Sequence, residues 1–276
     1  MSAPSVDLSG RTVLVTGATD GLGRALARSL AATGATVLLH GRDSRRLRET
    51  EAHIREETGS QGLRAYRADF ASLAEVRELA DRVRGRERRL DVLVNNAGIG
   101  TTVPGGERRM ESRDGYELRF AVNYLAGYLL THELLDLLEA TAPARIVNVS
   151  SAGQMPLDFD DLMLERDYSG TRAYCQSKLA QVLFTFGLAE ELAGTGVTAT
   201  CLHPATYMPT KIVASPTSTL QEGVTATFAL VADPALEGVT GVYFDGLRES
   251  RAHPQAYDEA ARRRLSDVSR GLVAAS

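Results

Sequence analysis

The sequence predicts an α/β chain, a single doubly wound parallel sheet of about seven strands with helices on both faces. Three observations carry this. The apolar, β-branched run Thr12–Thr16 is broken by Gly17, Gly21 and Gly23, and helical periodicity resumes at once. Strand-like and helix-like segments then alternate to Phe244 without a linker-like interval. The 276 residues, 43% hydrophobic and 24% charged with a formal net charge of −4, suffice for a sizeable core. One domain over residues 1–276 is expected, with long loops at 152–172 and 206–222 and a C-terminal extension at 247–276.

The expected strands are Thr12–Thr16, Ala35–His40, Gly62–Arg67, Asp91–Asn95, Arg145–Ser150, Val197–Leu202 and Gly241–Phe244, each a short run rich in buried-strand residues. The expected helices fill the gaps: Gly21–Thr33, Ser44–Thr58, Leu73–Arg84, Gly115–Ala140, Ala173–Ala193 and Thr219–Val231. Ligands of such sheets bind beyond the carboxyl ends of the strands, where Asp69, Asn95, Ser151 and His203 fall.

The first strand, its glycine-rich turn, the helix and the second strand follow in the order that a dinucleotide fingerprint requires. Bare glycine backbone lets a pyrophosphate approach, and the helix N-terminus offers free N–H groups and a positive dipole end. The second strand ends in Leu39-His40-Gly41-Arg42-Asp43. An acid there binds a ribose 2′-hydroxyl, whereas an arginine accommodates a 2′-phosphate. Arg42 stands where it meets the phosphate, which favours NADP(H) over NAD(H). Asp43 either caps the next helix or points at the ribose.

Tyr174 and Lys178 lie four residues apart on one predicted helix face. A cation near a phenol favours the phenolate, so the Tyr174 pKa is expected to fall from about 10 toward working pH. Such a group exchanges protons in carbonyl and alcohol chemistry.

Gly17-x-x-x-Gly21-x-Gly23, Asn95-Asn96-Ala97-Gly98, Asn123, Ser150-Ser151 and Tyr174-x-x-x-Lys178 occur in the order seen in the short-chain dehydrogenase/reductase family, which the chain resembles from about Leu8 to about Gly246. The resemblance implies a Rossmann fold and a nicotinamide-dependent ketoreductase or alcohol dehydrogenase. Tyr174 would be the general acid or base, Lys178 would lower its pKa and hold the nicotinamide ribose, Ser151 would orient the substrate oxygen, and Asn123 would support a water leading from Lys178 to solvent. Ser150 would complete the strand. The cofactor would lie against Gly17, Thr19, Asp20, Gly21, Leu22, Gly23, Arg42, Asp69, Phe70, Asn95, Asn96, Ala97, Gly98, Tyr174, Lys178, Pro204, Ala205 and Thr206, and Thr210 would reach a phosphate. Asp69 is alternatively a helix cap. Ala205 stands where the family has glycine, so its backbone avoids positive φ or carries strain. His203 is expected to hold that loop.

The insertion between Ser151 and Tyr174 resembles that of the retinol-dehydrogenase and WW-domain-oxidoreductase-like branch, and reads as a folded flap. Met155, Leu157, Phe159, Tyr207, Met208, Ile212 and Val213 either line an apolar substrate pocket or belong to the core. A moderately hydrophobic small molecule is the expected substrate. The competing readings are an NADP-binding regulator without turnover and an epimerase or dehydratase that recycles its cofactor. The mildly acidic chain has no nucleic-acid footprint, no metal is expected, and no apolar run near 18 residues suggests a membrane span. Cys175 and Cys201 form no disulfide framework and fit a reducing cytoplasm. The family commonly pairs through helices equivalent to 115–140 and 173–193, so a homodimer or homotetramer is expected.

Overall fold

The computed structural model describes residues 6–101, 108–206, 208 and 217–276. Seven parallel strands form one sheet: β1 (Thr12–Val15), β2 (Thr36–Gly41), β3 (Leu63–Arg67), β4 (Val92–Asn95), β5 (Ala144–Val149), β6 (Val197–His203) and β7 (Val242–Asp245). An eighth, β8 (Arg248–Ser250), adds antiparallel to β7, and the order across the sheet is β3-β2-β1-β4-β5-β6-β7-β8. The chain reverses its direction of travel between β1 and β4, so the crevice for a ligand opens where those strands end.

Side-chain alternation builds a core on each face. Leu14, Leu38, Leu93 and Ile146 point to one side, where they meet the helices α3 (Leu73–Arg86), α4 (Ala126–Glu133), α6 (Gly170–Glu191) and α8 (Glu259–Ala274). Val13, Val15, Val37, Leu39 and Val94 point to the other, under α1 (Gly21–Ala32), α2 (Ser44–Thr58) and α7 (Leu220–Ala232). Both faces being covered explains why the strands read as continuous apolar runs.

The expected helix 115–140 is broken. Phe120–Leu125 winds as a π-helical turn, α4 follows, and α5 (Leu135–Ala140) is a separate short piece. A π-turn inserts an extra residue without erasing the apolar periodicity, so the sequence pattern stays continuous through it. Asn123 therefore sits on the π-turn and not in a regular helix.

The C-terminal extension folds into α8, capped by Asp258, whose carboxylate accepts from the Ala260 and Ala261 N–H groups. This helix lies over the π-turn and α6. Tyr124 and Ser269 share a hydrogen bond of 2.7 Å, the Tyr116 hydroxyl donates to the Leu272 carbonyl at 2.9 Å, and Arg262 pairs with Glu190 at 2.6 Å. The helix faces expected to pair two copies are thus occupied by the chain's own C-terminus. Among the described residues, no helix is long and apolar enough to cross a membrane.

Candidate active site

Thr16 ends the first strand and knits the nucleotide turn to the loop after β4. Its hydroxyl donates to the Val94 carbonyl (3.1 Å) and accepts from the Asn96 and Ala97 N–H groups at 2.8 and 2.9 Å. The Asn96 amide donates back to the Thr16 carbonyl at 2.8 Å. Gly17 then turns with φ +68°, a conformation that disfavours any side chain. A Cβ on Gly23 would stand 2.3 Å from the Gly17 carbonyl oxygen and 2.5 Å from the Asn96 amide nitrogen. Asp20 caps the twelve-residue α1 through the Gly21 N–H. Bare backbone against a helix N-terminus fits a dinucleotide pyrophosphate. Gly23→Ala is expected to push the turn apart, raising the cofactor Kd about tenfold and lowering stability by about 1–3 kcal/mol, the usual cost of overpacking. Cofactor titration and thermal melting of the variant check both figures.

His40, absent from the expected site, supports this turn from behind. Its Nδ1 accepts the Gly17 N–H at 3.2 Å and its Nε2 donates to the Ala68 carbonyl at 3.0 Å. The ring stacks on Phe70 at 4.2 Å between centroids. Burial pushes the imidazole down to about 4, so the ring is neutral, as those two bonds require. Phe70 is itself buried and packs on His40. Asp69 forms an Asx turn to the Ala71 N–H at 3.1 Å and faces Arg113 at 3.7 Å. The cap of α3 is Ser72, not Asp69.

At the end of β2, a Cβ on Gly41 would meet Thr19 Cγ2 at 2.6 Å, so the close packing of Thr19 excludes an acidic side chain there. Asp43 caps α2, accepting from the Arg45 and Arg46 N–H groups at 2.8 and 3.0 Å. Those bonds hold its carboxyl below the usual range. The Arg42 side chain is exposed and makes no ion pair among the described residues. Arg46, also unanticipated, reaches back to the Thr19 carbonyl (3.2 Å) and to Asp20 (2.9 Å). A depression of about 380 Å³ between α1 and α2 is lined by Thr19, Asp20, Arg24, Arg46 and Glu49 among others.

Ser151, Tyr174 and Lys178 meet at the same sheet edge. Ser169 caps α6 through the Arg172 N–H, placing Tyr174 and Lys178 on successive turns. The Lys178 amine lies 5.8 Å from the Tyr174 ring centroid, and the Ser151 side chain faces the Tyr174 hydroxyl and favours its ionised form. Ser151 is further fixed by the Gly153 N–H at 3.0 Å. Ser150 instead donates to the Lys178 carbonyl at 2.8 Å, joining strand to helix. Asn123 accepts the Ile99 N–H (2.7 Å) and donates to the Ile99 carbonyl (3.1 Å) and to Ser177 (2.9 Å), clamping the loop after β4 onto α6.

The expected fall of the Tyr174 pKa is not found. Burial pushes this phenol up, with only partial relief from Ser151. Lys178 is itself so deeply buried that its amine is pushed down to about 7. An amine whose charge burial disfavours exerts a weak pull on the hydroxyl, and desolvation dominates.

Beyond β6, His203 Nε2 and the Thr206 hydroxyl share a hydrogen bond at 3.0 Å, so the imidazole holds the loop. Ala205 avoids positive φ, since Leu164 is the one described non-glycine residue there. Tyr207, Thr210, Ile212 and Val213 lie outside the described residues. Leu157, Phe159 and Met208 pack against the two cores, and Met155 is exposed. The flap is anchored: fully buried Arg119 donates to the Gly100 and Thr101 carbonyls, both at 2.8 Å, and to the Tyr168 hydroxyl at 2.5 Å.

Known proteins are similar to this chain in sequence and in fold. Retinol dehydrogenase 13 of Mus musculus is 41% identical over 96% of this chain and 84% of its own. An uncharacterized protein from Mycobacterium paratuberculosis superposes with a TM-score of 0.79 at 29% identity, over 98% of this chain and 95% of that one. A Shigella flexneri structure complexed with NADP does so with a TM-score of 0.69 at 30% identity, over 87% and 98%. The short chain dehydrogenase model matches residues 11–221. With a glycine turn and a serine–tyrosine–lysine cluster on one sheet edge, and with that match over most of its length, the chain belongs to the short-chain dehydrogenase family of oxidoreductases.

Proposed function

We propose that the chain is an NADP(H)-dependent oxidoreductase interconverting a ketone or aldehyde and an alcohol on a moderately hydrophobic small molecule. The observation that carries this reading is Ser151 facing the Tyr174 hydroxyl with Lys178 beside the ring, at the edge where the glycine turn also opens. A bound nicotinamide would supply or accept the hydride. Ser151 orients the substrate oxygen. Tyr174, kept protonated by burial, starts as a donor and delivers its proton to the developing alkoxide. The Lys178 ammonium stabilises the phenolate left behind. Asn123 holds the loop after β4 in place through Ile99.

NADP is favoured by the uncommitted guanidinium of Arg42, by the use of Asp43 as a cap, and by the NADP bound to the Shigella neighbour. A charge-assisted hydrogen bond contributes about 1.5–3 kcal/mol. Arg42→Ala should therefore raise the NADPH KM by about tenfold to a hundredfold and leave the NADH KM unchanged. A rise common to both cofactors would assign Arg42 elsewhere. The two buried free cysteines suit a reducing cytoplasm.

The test of the reading is a panel of hydrophobic ketones, aldehydes and alcohols, retinal included because relatives are named for retinol, assayed by NADPH absorbance and repeated with NADH. Reduction with NADPH supports it. Tight NADPH binding without turnover of any compound would favour a regulator, and a strong NADH preference would reverse the cofactor assignment.

A further inference from the structure

Lys178 carries three N–H donors on a buried amine. One donates to the Val149 carbonyl at the end of β5, and a second to the Gln181 side-chain oxygen, both at 2.9 Å. On the side of the loop after β4, the amine lies 3.7 Å from where a Cβ on Gly98 would stand, so a bare glycine leaves that flank clear for the third donor. Gln181 is buried too, one helical turn beyond Lys178 on the same face of α6. Its turn is pinned to the sheet: the Thr185 hydroxyl donates to the Gln181 carbonyl at 2.7 Å and accepts from Asn148 on β5 at 2.9 Å.

We propose that Gln181 is a positioning residue for Lys178, its amide oxygen holding the amine at the site and stabilising the ammonium form on which the Tyr174 chemistry depends. The proposal rests on the reading of Tyr174 and Lys178 as the proton-handling pair. A buried ammonium without carboxylate partners requires neutral oxygens to offset lost hydration. Among the described residues, the surroundings of Lys178 supply no other charge. On α6 the titratable neighbour is Tyr174, 5.8 Å away at its ring centroid. The π-turn presents the Asn123 amide, β5 the Val149 carbonyl, and the loop after β4 Gly98, none of which ionises. Burial alone drives the amine down, to about 7. Removing one of its two oxygen partners leaves the charged form less supported.

The full chain contains two lysines, Lys178 and Lys211, so ¹³Cε-lysine labelling gives two signals, assigned with Lys211→Arg. In Gln181→Leu, the Lys178 signal is expected to titrate about one to two pH units lower, the shift that loss of a charge-assisted hydrogen bond produces. In Gln181→Glu it is expected to titrate higher than in the parent, because an acceptor of similar reach then carries charge. The alkaline limb of kcat should move in the same two directions. A purely structural role would impair both variants alike and move neither titration. Unshifted Lys178 titrations in both folded variants overturn the proposal, and Gln181→Glu keeps it testable if the leucine variant does not fold. Lys178→Met separates the two readings. If that variant turns over normally, the Tyr–Lys assignment itself fails. If it is inactive while the Gln181 variants titrate like the parent, only the role of Gln181 fails.

Discussion

Tyr174→Phe will remove turnover and leave dinucleotide binding in place. The substitution deletes one oxygen and keeps the ring that packs beside Cys175 and Gly153, so the fold loses little. What disappears is the proposed proton donor that faces Ser151. Positioned proton transfer contributes about 10²- to 10⁴-fold, and kcat is expected to fall within that range. Ser151→Ala removes only the orienting partner and should cost less. NADPH binding, followed by fluorescence titration, should change less than twofold in Tyr174→Phe, because the turn proposed to hold the pyrophosphate lies between β1 and α1. Unchanged kcat in this variant would refute the proton-transfer assignment. Lost cofactor binding together with lost kcat would show that the ring holds the dinucleotide.

The glycine turn was legible because each of its positions answers a local demand. Gly17 needs positive φ, and Gly23 lies where even a methyl group would overlap backbone. Tyr174 and Lys178 were legible because four residues is one helical turn, whatever the helix packs against. What resisted reading depends on neighbours far away in the chain. His40 occupies an alternating strand position where a buried histidine looks like any core residue, and its partners, Gly17 and Ala68, lie 23 and 28 positions away. Gln181 shares a face with Lys178, but the need for an oxygen there follows from burial of the amine, which spacing does not reveal. The direction of the Tyr174 shift was misjudged for the same reason: a cation four residues away is visible in sequence, whereas desolvation belongs to the assembled site. The π-turn hides inside unbroken periodicity, and the role of α8 in covering Tyr124 emerges only on packing.

His40→Leu should weaken cofactor binding and remove an acid-sensitive part of the stability. The neutral imidazole accepts from Gly17 at Nδ1 and donates to Ala68 at Nε2. Protonation would set an N–H at Nδ1 against the Gly17 N–H, and burial resists it, holding the folded pKa at about 4 against an ordinary 6.5. The groups acting on the ring are Asp69, which favours its charge, and Arg82, which opposes it. Because the folded state binds the proton less readily than the unfolded chain, this contribution is complete above pH 6.5 and declines as pH falls toward about 4. Over that window the loss amounts to roughly 3 kcal/mol, of which roughly 2 kcal/mol is gone by about pH 5. Leucine keeps the ring's apolar contact with Phe70 but strips the partners from the half-buried Gly17 N–H and the buried Ala68 carbonyl, which costs about 1–3 kcal/mol at neutral pH and loosens the turn proposed to hold the pyrophosphate. Urea unfolding at pH 7.5 should therefore show the variant less stable than the parent, with a gap that narrows by roughly 2 kcal/mol at about pH 5, and the NADPH Kd at pH 7.5 should rise about tenfold. His40→Asn, which retains an acceptor oxygen, should recover part of the affinity. A stability gap that is the same at both pH values would mean that the imidazole is not the titrating group, and an unchanged Kd would mean that the turn holds its shape without it.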